Sequence, residues 1–210
     1  MLSQIRPAAS LIALFTLLCG VVLPLAFTGL GALALPYQSG GSLIVRNGKV
    51  IGSAIIGQNF VSDKYVHGRP SALMGADPKD SSKQIPTPYD AGESGASNLA
   101  PTSKALIDRV KADVGKLGTT PVAGDAVTTS GSGLDPDISP EAALLQVARV
   151  AKARGVTPDA VRAVLAGQVQ APRLGIFGGS LVNVLALNLA LDAAFPGAAA
   201  VPEQAGRSKS

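Results

Sequence analysis

LIALFTLLCGVVLPLAFTGL, Leu11–Leu30, is the stretch that decides the architecture. No Asp, Glu, Lys or Arg lies between Arg6 and Arg46. The apolar core runs from about Ala8 to Leu30, roughly 33 Å of helix against a hydrocarbon core of about 30 Å. A soluble core helix is rarely so long and so free of charge. Pro24 predicts a kink, which a membrane helix tolerates when neighbours cover the freed carbonyl. Thr16, Gly20, Thr28 and Gly29 are small enough for a second helix to approach closely. A cleaved signal peptide is the competing reading, because Ala32-Leu33-Ala34 resembles a small-x-small cleavage site. The apolar run exceeds the usual 7–15 residues of a signal peptide, which favours an uncleaved anchor.

Working outward, charge sets the orientation. Arg6 and the amino terminus precede the run, and no basic residue follows until Arg46. The positive-inside rule therefore places the N-terminus in the cytoplasm and the rest of the chain outside. The expected segments are a cytoplasmic N-terminus (1–7), a transmembrane anchor (8–30), an extracytoplasmic domain (31–196) and a flexible tail (197–210). Cys19 is the only cysteine, so no intramolecular disulfide can form.

About 180 residues remain after the anchor, enough for one domain and few for two. The net charge is +4 but acidic and basic residues are interspersed. No basic run with interleaved aromatics suggests a nucleic-acid surface. Asn47-Gly48 between Ser42–Val45 and Lys49–Ile56 predicts a β-hairpin with a type I′ turn. Residues 62–101, rich in Pro, Gly, Ser and Asp, read as one long loop, of the kind that is usually functional. Leu106, Val110, Val114 and Leu117 predict a helix capped by Thr102. A short strand is expected at Ala126–Thr129. Ser139-Pro140-Glu141 opens a helix that closes at Gly155, with Leu144, Val147, Ala148 and Ala151 inward. Thr157-Pro158-Asp159 opens another, with Val161, Val164 and Leu165 inward, closing at Gly167. Leu181–Phe195 reads as a last apolar helix whose face is broken by Asn183 and Asn188.

The chemistry legible in the chain is sparse. His67 is the only histidine, so a conventional zinc site is not expected. Ser71, Ser94 and Ser130 accompany many aspartates, but no G-x-S-x-G positions a nucleophile. Ser130–Asp135, SGSGLD, lacks the Lys and Ser/Thr of a phosphate-binding loop. It reads either as an anion-accepting nest or as a tight turn.

Several segments are similar to those of the C subunit of the Kdp potassium-transporting ATPase. They are IGSAIIGQNF (Ile51–Phe60), YVHGRPSA (Tyr65–Ala72), SGASNLAPT (Ser94–Thr102), TTSGSGLDPDISPEAALLQVARVAKARG (Thr128–Gly155) and VNVLALNLALD (Val182–Asp192). The chain departs from the family pattern at Asp137, Ala96 and Ala100, and Ala171–Leu181 lacks the acidic residues often seen there. The resemblance implies an α/β fold: one N-terminal transmembrane helix plus a single compact extracytoplasmic α/β domain with a β-hairpin and several helices. It implies a non-catalytic subunit of a high-affinity, ATP-driven potassium transport complex in the bacterial inner membrane. Its expected partners are the channel-like potassium-translocating subunit, the P-type ATP-hydrolysing subunit, the small single-helix subunit and membrane lipid. No cofactor or metal is expected on this chain. ATP enters through the complex, where such subunits are described as catalytic chaperones raising ATP affinity. Direct contact with cytoplasmic ATP is physically awkward for an extracytoplasmic domain, so docking or gating over the outer mouth of the potassium pathway, with an indirect nucleotide effect, is the preferred expectation. The candidate interface or loop-fixing residues are His67, Arg69, Ser94, Asn98, Ser130, Ser132 and Asp135. The alternative is an anchored periplasmic protein binding a small anion.

Overall fold

The computed structural model describes residues 4–172 and 174–196. The expected tail, 197–210, lies outside the described residues. The chain divides into two compact units, the boundary falling after Ile44.

The first unit is dominated by a helix spanning Ile5–Ala34, 30 residues, long and apolar enough to cross a membrane. It comprises α1 (Ile5–Leu17), a π-helical stretch (Leu18–Val22) and α2 (Leu23–Ala34). The π turn answers Pro24. Proline has no N–H to give and its ring would clash with the carbonyl one turn back, at Gly20. The wider turn, in which Leu23 N–H bonds Leu18 O, moves that carbonyl aside. The helix therefore continues through the proline. A short helix α3 (Pro36–Ser39) follows.

The second unit is the α/β domain. At its start the boundary cuts strand β1 (Leu43–Arg46), which forms the expected hairpin with β2 (Lys49–Ser53). Asn47 (φ 52°) and Gly48 (φ 74°) supply the two positive dihedrals of its turn. A second hairpin, β3 (Met74–Asp77) and β4 (Asp80–Pro86), interrupts the segment read as one long loop. Helix α4 (Lys104–Leu117) starts after Ser103 rather than Thr102, and ends at Gly118 in the left-handed region. The strand expected at Ala126–Thr129 is absent, and Gly124–Ala126 is a 3-10 turn instead. Val127 N and Thr128 Oγ1 both donate to Gly124 O, at 3.3 and 2.7 Å, so the segment closes on itself as a turn instead of extending.

The central sheet is three-stranded and antiparallel, ordered β5 (Asp137–Ile138), β7 (Leu181–Asn183), β6 (Val169–Gln170). The run read as one helix from Leu181 thus splits. Its first residues form the middle strand, and α8 (Val184–Ala194) begins where Asn183 Oδ1 accepts the Ala186 N–H at 3.0 Å. The expected Ser139 helix bends at Gln146 into α5 (Pro140–Leu145) and α6 (Val147–Arg154). Ser139 Oγ caps it through Ala142 N at 3.0 Å, and Gly155 ends it at φ 67°. Thr157 caps α7 (Pro158–Ala166) in the same way. Val147, Val150, Ala151, Val161, Leu165, Val182, Leu187 and Leu191 make the core where these helices and β7 meet. Burying each large apolar side chain is worth about 1.5–3 kcal/mol. Leu144, 48% exposed, and Ala148 face solvent instead of the core.

Candidate functional site

Two amide side chains, one buried and one half-buried, hold the segment that carries His67 and Arg69. Asn188 is fully buried on α8. Its Oδ1 accepts the Val66 N–H at 2.8 Å and its Nδ2 donates to Val66 O at 2.9 Å. Gln146, at the α5–α6 bend, does the same for the next residue, accepting from His67 N at 2.8 Å and donating to His67 O at 3.0 Å. Each amide thus replaces the neighbouring strand that this segment lacks.

Two arginines extend the clamp. Arg149 donates to Asp63 O (2.8 Å), Tyr65 O (3.0 Å) and Gln146 Oε1 (2.7 Å). Arg154 donates to Lys64 O (2.7 Å) and Asp192 Oδ1 (3.0 Å), and its guanidinium lies 5.2 Å from the Tyr65 ring centre. Its side chain is wholly buried, so the pairing with Asp192 is what makes the charge tolerable there. Tyr65 Oη donates to Asp192 Oδ2 at 3.3 Å. Burial, then the Asp192 charge, push the Tyr65 hydroxyl up to about 12.

A second set of bonds ties three loops together. Arg69 pairs with Asp135 at 2.8 Å and donates to Thr129 O at 3.3 Å. Ser71 Oγ donates to Gly133 O at 2.9 Å, and Gly95 N donates to Ser132 O at 2.9 Å. The Tyr89 ring fills the space beside Gly57 and Gly68, where a Cβ on either would strike it. Its hydroxyl donates to Arg69 O at 2.7 Å. Burial raises the Tyr89 hydroxyl to about 12.

Of the expected residues, Arg69, Ser94, Ser130, Ser132 and Asp135 come together in this three-loop knot. Ser130 Oγ accepts the Gly133 N–H (2.8 Å), Ser132 Oγ the Leu134 N–H (3.1 Å) and Asp135 Oδ1 the Asp137 N–H (3.1 Å). Ser94 is exposed, with a long 3.4 Å bond to Ser132 O. Asn98 is exposed at φ 52°, a conformation asparagine tolerates. His67 lies on the Gln146 side, its Nε2 3.0 Å from Ser62 O. Burial, reinforced by the Arg149 charge, lowers its pKa below 6.5.

A family model described as "K+-transporting ATPase, c chain" matches residues 5–193. The chain belongs to the KdpC family. It is 56% identical over 200 residues to a potassium-transporting ATPase KdpC subunit of Rhodopseudomonas palustris, covering 93% of this chain and all of that protein. The KdpC subunit of Bradyrhizobium diazoefficiens is 57% identical over 200 residues, covering 92% and 98%. That of Methylobacterium nodulans is 56% identical over 196 residues, covering 91% and 98%. With one helix among the described residues long and apolar enough to cross a membrane, this KdpC-family chain is a single-pass membrane protein.

SGSGLD, Ser130–Asp135, was open to two readings, an anion-accepting nest or a tight turn. The N–H groups of Gly133 and Leu134 are taken by the Ser130 and Ser132 hydroxyls, and the Asp135 carboxylate faces Arg69. A phosphate would have to displace these bonds, so the segment fits a closed turn rather than a phosphate nest.

The clamp residues Gln146, Arg149, Arg154, Asn188 and Asp192, and Tyr89 in the knot, were not among the expected ones. For Asn188 alone a signal was present. An amide in the middle of an apolar helix such as VLALNLALD must find partners when buried.

Proposed function

We propose that this chain is the non-catalytic accessory subunit of an ATP-driven potassium transport complex. Its folded domain lies outside the cytoplasm and docks on the channel-like potassium-translocating subunit, alongside the P-type ATP-hydrolysing subunit and the small single-helix subunit. Membership of the KdpC family across residues 5–193 carries this reading. The geometry supports the docking role, because the long loops are pinned at residue after residue by side chains of the helices. A rigid loop surface costs a partner little ordering entropy on binding.

In this reading His67, Arg69, Ser130, Ser132 and Asp135 fix the loops, while Ser94 and Asn98 belong to the presented face. Any effect on ATP affinity passes indirectly through the complex, as a coupling between distant sites. The anion-binding alternative is weaker at the hollow of about 240 Å³ that His67, Lys116, Gln146 and Arg149 line. Its histidine and guanidinium donors already serve Ser62, Asp63, Tyr65 and Gln146.

Ser94→Trp tests the reading, since it adds bulk on the exposed side of the knot. The full-length chain should keep its melting temperature, while its recovery with the potassium-translocating subunit and the potassium-dependent ATPase activity fall. Unchanged recovery and activity would show that this face is not read by the partner.

A further inference from the structure

The first charge beyond the spanning helix is Arg46, at the tip of the β1–β2 hairpin. The two-residue turn sets Arg46 opposite Lys49 and Val45 opposite Val50. Strand alternation then puts Leu43, Val45 and Val50 on one face and Ile44 and Ile51 on the other. Ile44 and Ile51 are half-buried. The opposite face is bare: Leu43 is 47% exposed, Val45 58% and Val50 51%. The chain that leads from the helix to this hairpin is a folded joint. A helix of 30 residues is about 45 Å long, which outruns a hydrocarbon core of about 30 Å and matches a bilayer with its headgroups. Its end at Ala34 therefore falls among headgroups. Helix α3 turns back there, since a Cβ on Gly31 would lie 3.8 Å from Ser39 Cβ. Ser42 N donates to Tyr37 O at 2.9 Å, and Tyr37 Oη donates to Ser42 O at 3.1 Å. Gly41 (φ 85°) and Ser42 (φ 51°) take successive left-handed conformations, and Ser42 is 4% exposed. A buried serine keeps that conformation only where its surroundings impose it, so the joint is fixed rather than loose. Val45 follows three residues later, about 10 Å of strand.

We propose that the β1–β2 hairpin lies on the membrane surface from which α2 emerges, with Leu43, Val45 and Val50 at the boundary between phospholipid headgroups and acyl chains. The inference rests on the anchor being uncleaved. It gives the domain a second hold on the bilayer beside the spanning helix. Only the side chains enter. The ribbon's backbone stays at headgroup level, where water satisfies the edge groups that a hydrocarbon environment would strand. The long stem of Arg46 lets its guanidinium reach lipid phosphate from the tip. Two observations favour lipid over a protein partner. The face consists of Leu43, Val45, Val50 and Gly52, so it offers no hydrogen-bonding side chain. Specific protein interfaces carry about one hydrogen bond per 100–200 Å². The bilayer is also always within reach, because the chain leaves it at Ala34 and no charge intervenes before Arg46.

The test is site-directed spin labelling of the full-length chain in phospholipid nanodiscs. Val45→Cys and Val50→Cys carry the nitroxide, each in a Cys19→Ala background, and Lys83→Cys on β4 is the solvent reference, its side chain being 71% exposed. Oxygen concentrates in lipid and a nickel chelate stays in water. The ratio of oxygen to nickel-chelate accessibility at positions 45 and 50 should exceed the reference severalfold in the chain alone, and should persist in the assembled complex. Both valines are exposed, so the labelled chains should melt with the wild type. Ratios at 45 and 50 equal to the solvent reference would overturn the proposal. So would shielding that appears only when the companion subunits are present, which would assign the face to a protein. Intact mass of the reconstituted chain separates the remaining failure: loss of residues 1–30 would overturn the anchor reading and this inference with it.

Discussion

Replacing Asn188 with leucine removes both halves of the clamp on Val66 and nothing else. Asn188 is 0% exposed and Val66 2% exposed, so water cannot take over without opening the core. Each stranded backbone group costs about 1–3 kcal/mol, hence about 2–6 kcal/mol for the pair. The leucine recovers about 1.5–3 kcal/mol through burial, leaving a net loss of at most about 4.5 kcal/mol and, at mid-range, about 2 kcal/mol. For a domain of this size that is on the order of 4–8 °C in melting temperature. The assay is thermal unfolding of the full-length chain in detergent, with amide hydrogen exchange at Val66 and His67. The Val66 amide should exchange much faster in the variant, while the His67 amide, bonded to Gln146, keeps part of its protection. A melting temperature within about 2 °C of wild type, with Val66 still protected, would refute the claim that Asn188 stands in for a strand.

Gly57→Ala should destabilise by about 1–3 kcal/mol, because its Cβ meets both the Tyr89 ring and the Asp135 carbonyl; denaturant unfolding checks it. Arg69→Ala should cost about 1 kcal/mol in the same assay, a modest figure because the pair with Asp135 is about a quarter exposed. His67 predicts a pH dependence. Its folded pKa lies below 6.5, so the unfolded chain binds more protons as pH falls. Stability should be full above about pH 6.5 and decline below it, and His67→Gln should remove that slope. Intact-mass measurement of the membrane-extracted chain should show residues 1–30 retained; a mature N-terminus near Leu35 would restore the signal-peptide reading.

Local rules carried the sequence reading where they act alone. Asn47-Gly48, Ser139-Pro140 and Thr157-Pro158 each fix their own dihedrals and bonds, and the hairpin and helix starts follow from them. The membrane helix was equally legible, since a charge-free stretch from Arg6 to Arg46 has few other uses; the span runs Ile5–Ala34. The reading failed where tertiary pairing decides. Met74–Pro86 is too polar to show strand alternation, and its hairpin forms by backbone pairing across Pro78-Lys79. Leu181–Asn183 looks helical in isolation but is recruited between β5 and β6. In the candidate site, the loop residues were visible through their Gly, Ser and Pro settings. The amides and arginines that hold them were not singled out: Asn188 showed as a break in an apolar face, but its partner Val66 lies 122 residues away in sequence and nothing local names it.

Purification of the full-length chain from membranes containing the whole complex tests the central claim most directly. The account predicts that the chain co-purifies in fixed ratio with the potassium-translocating and ATP-hydrolysing subunits. It also predicts that omitting the chain abolishes potassium-stimulated ATP hydrolysis. A fully potassium-stimulated pump assembled without the chain, with the chain recovered alone, would contradict it.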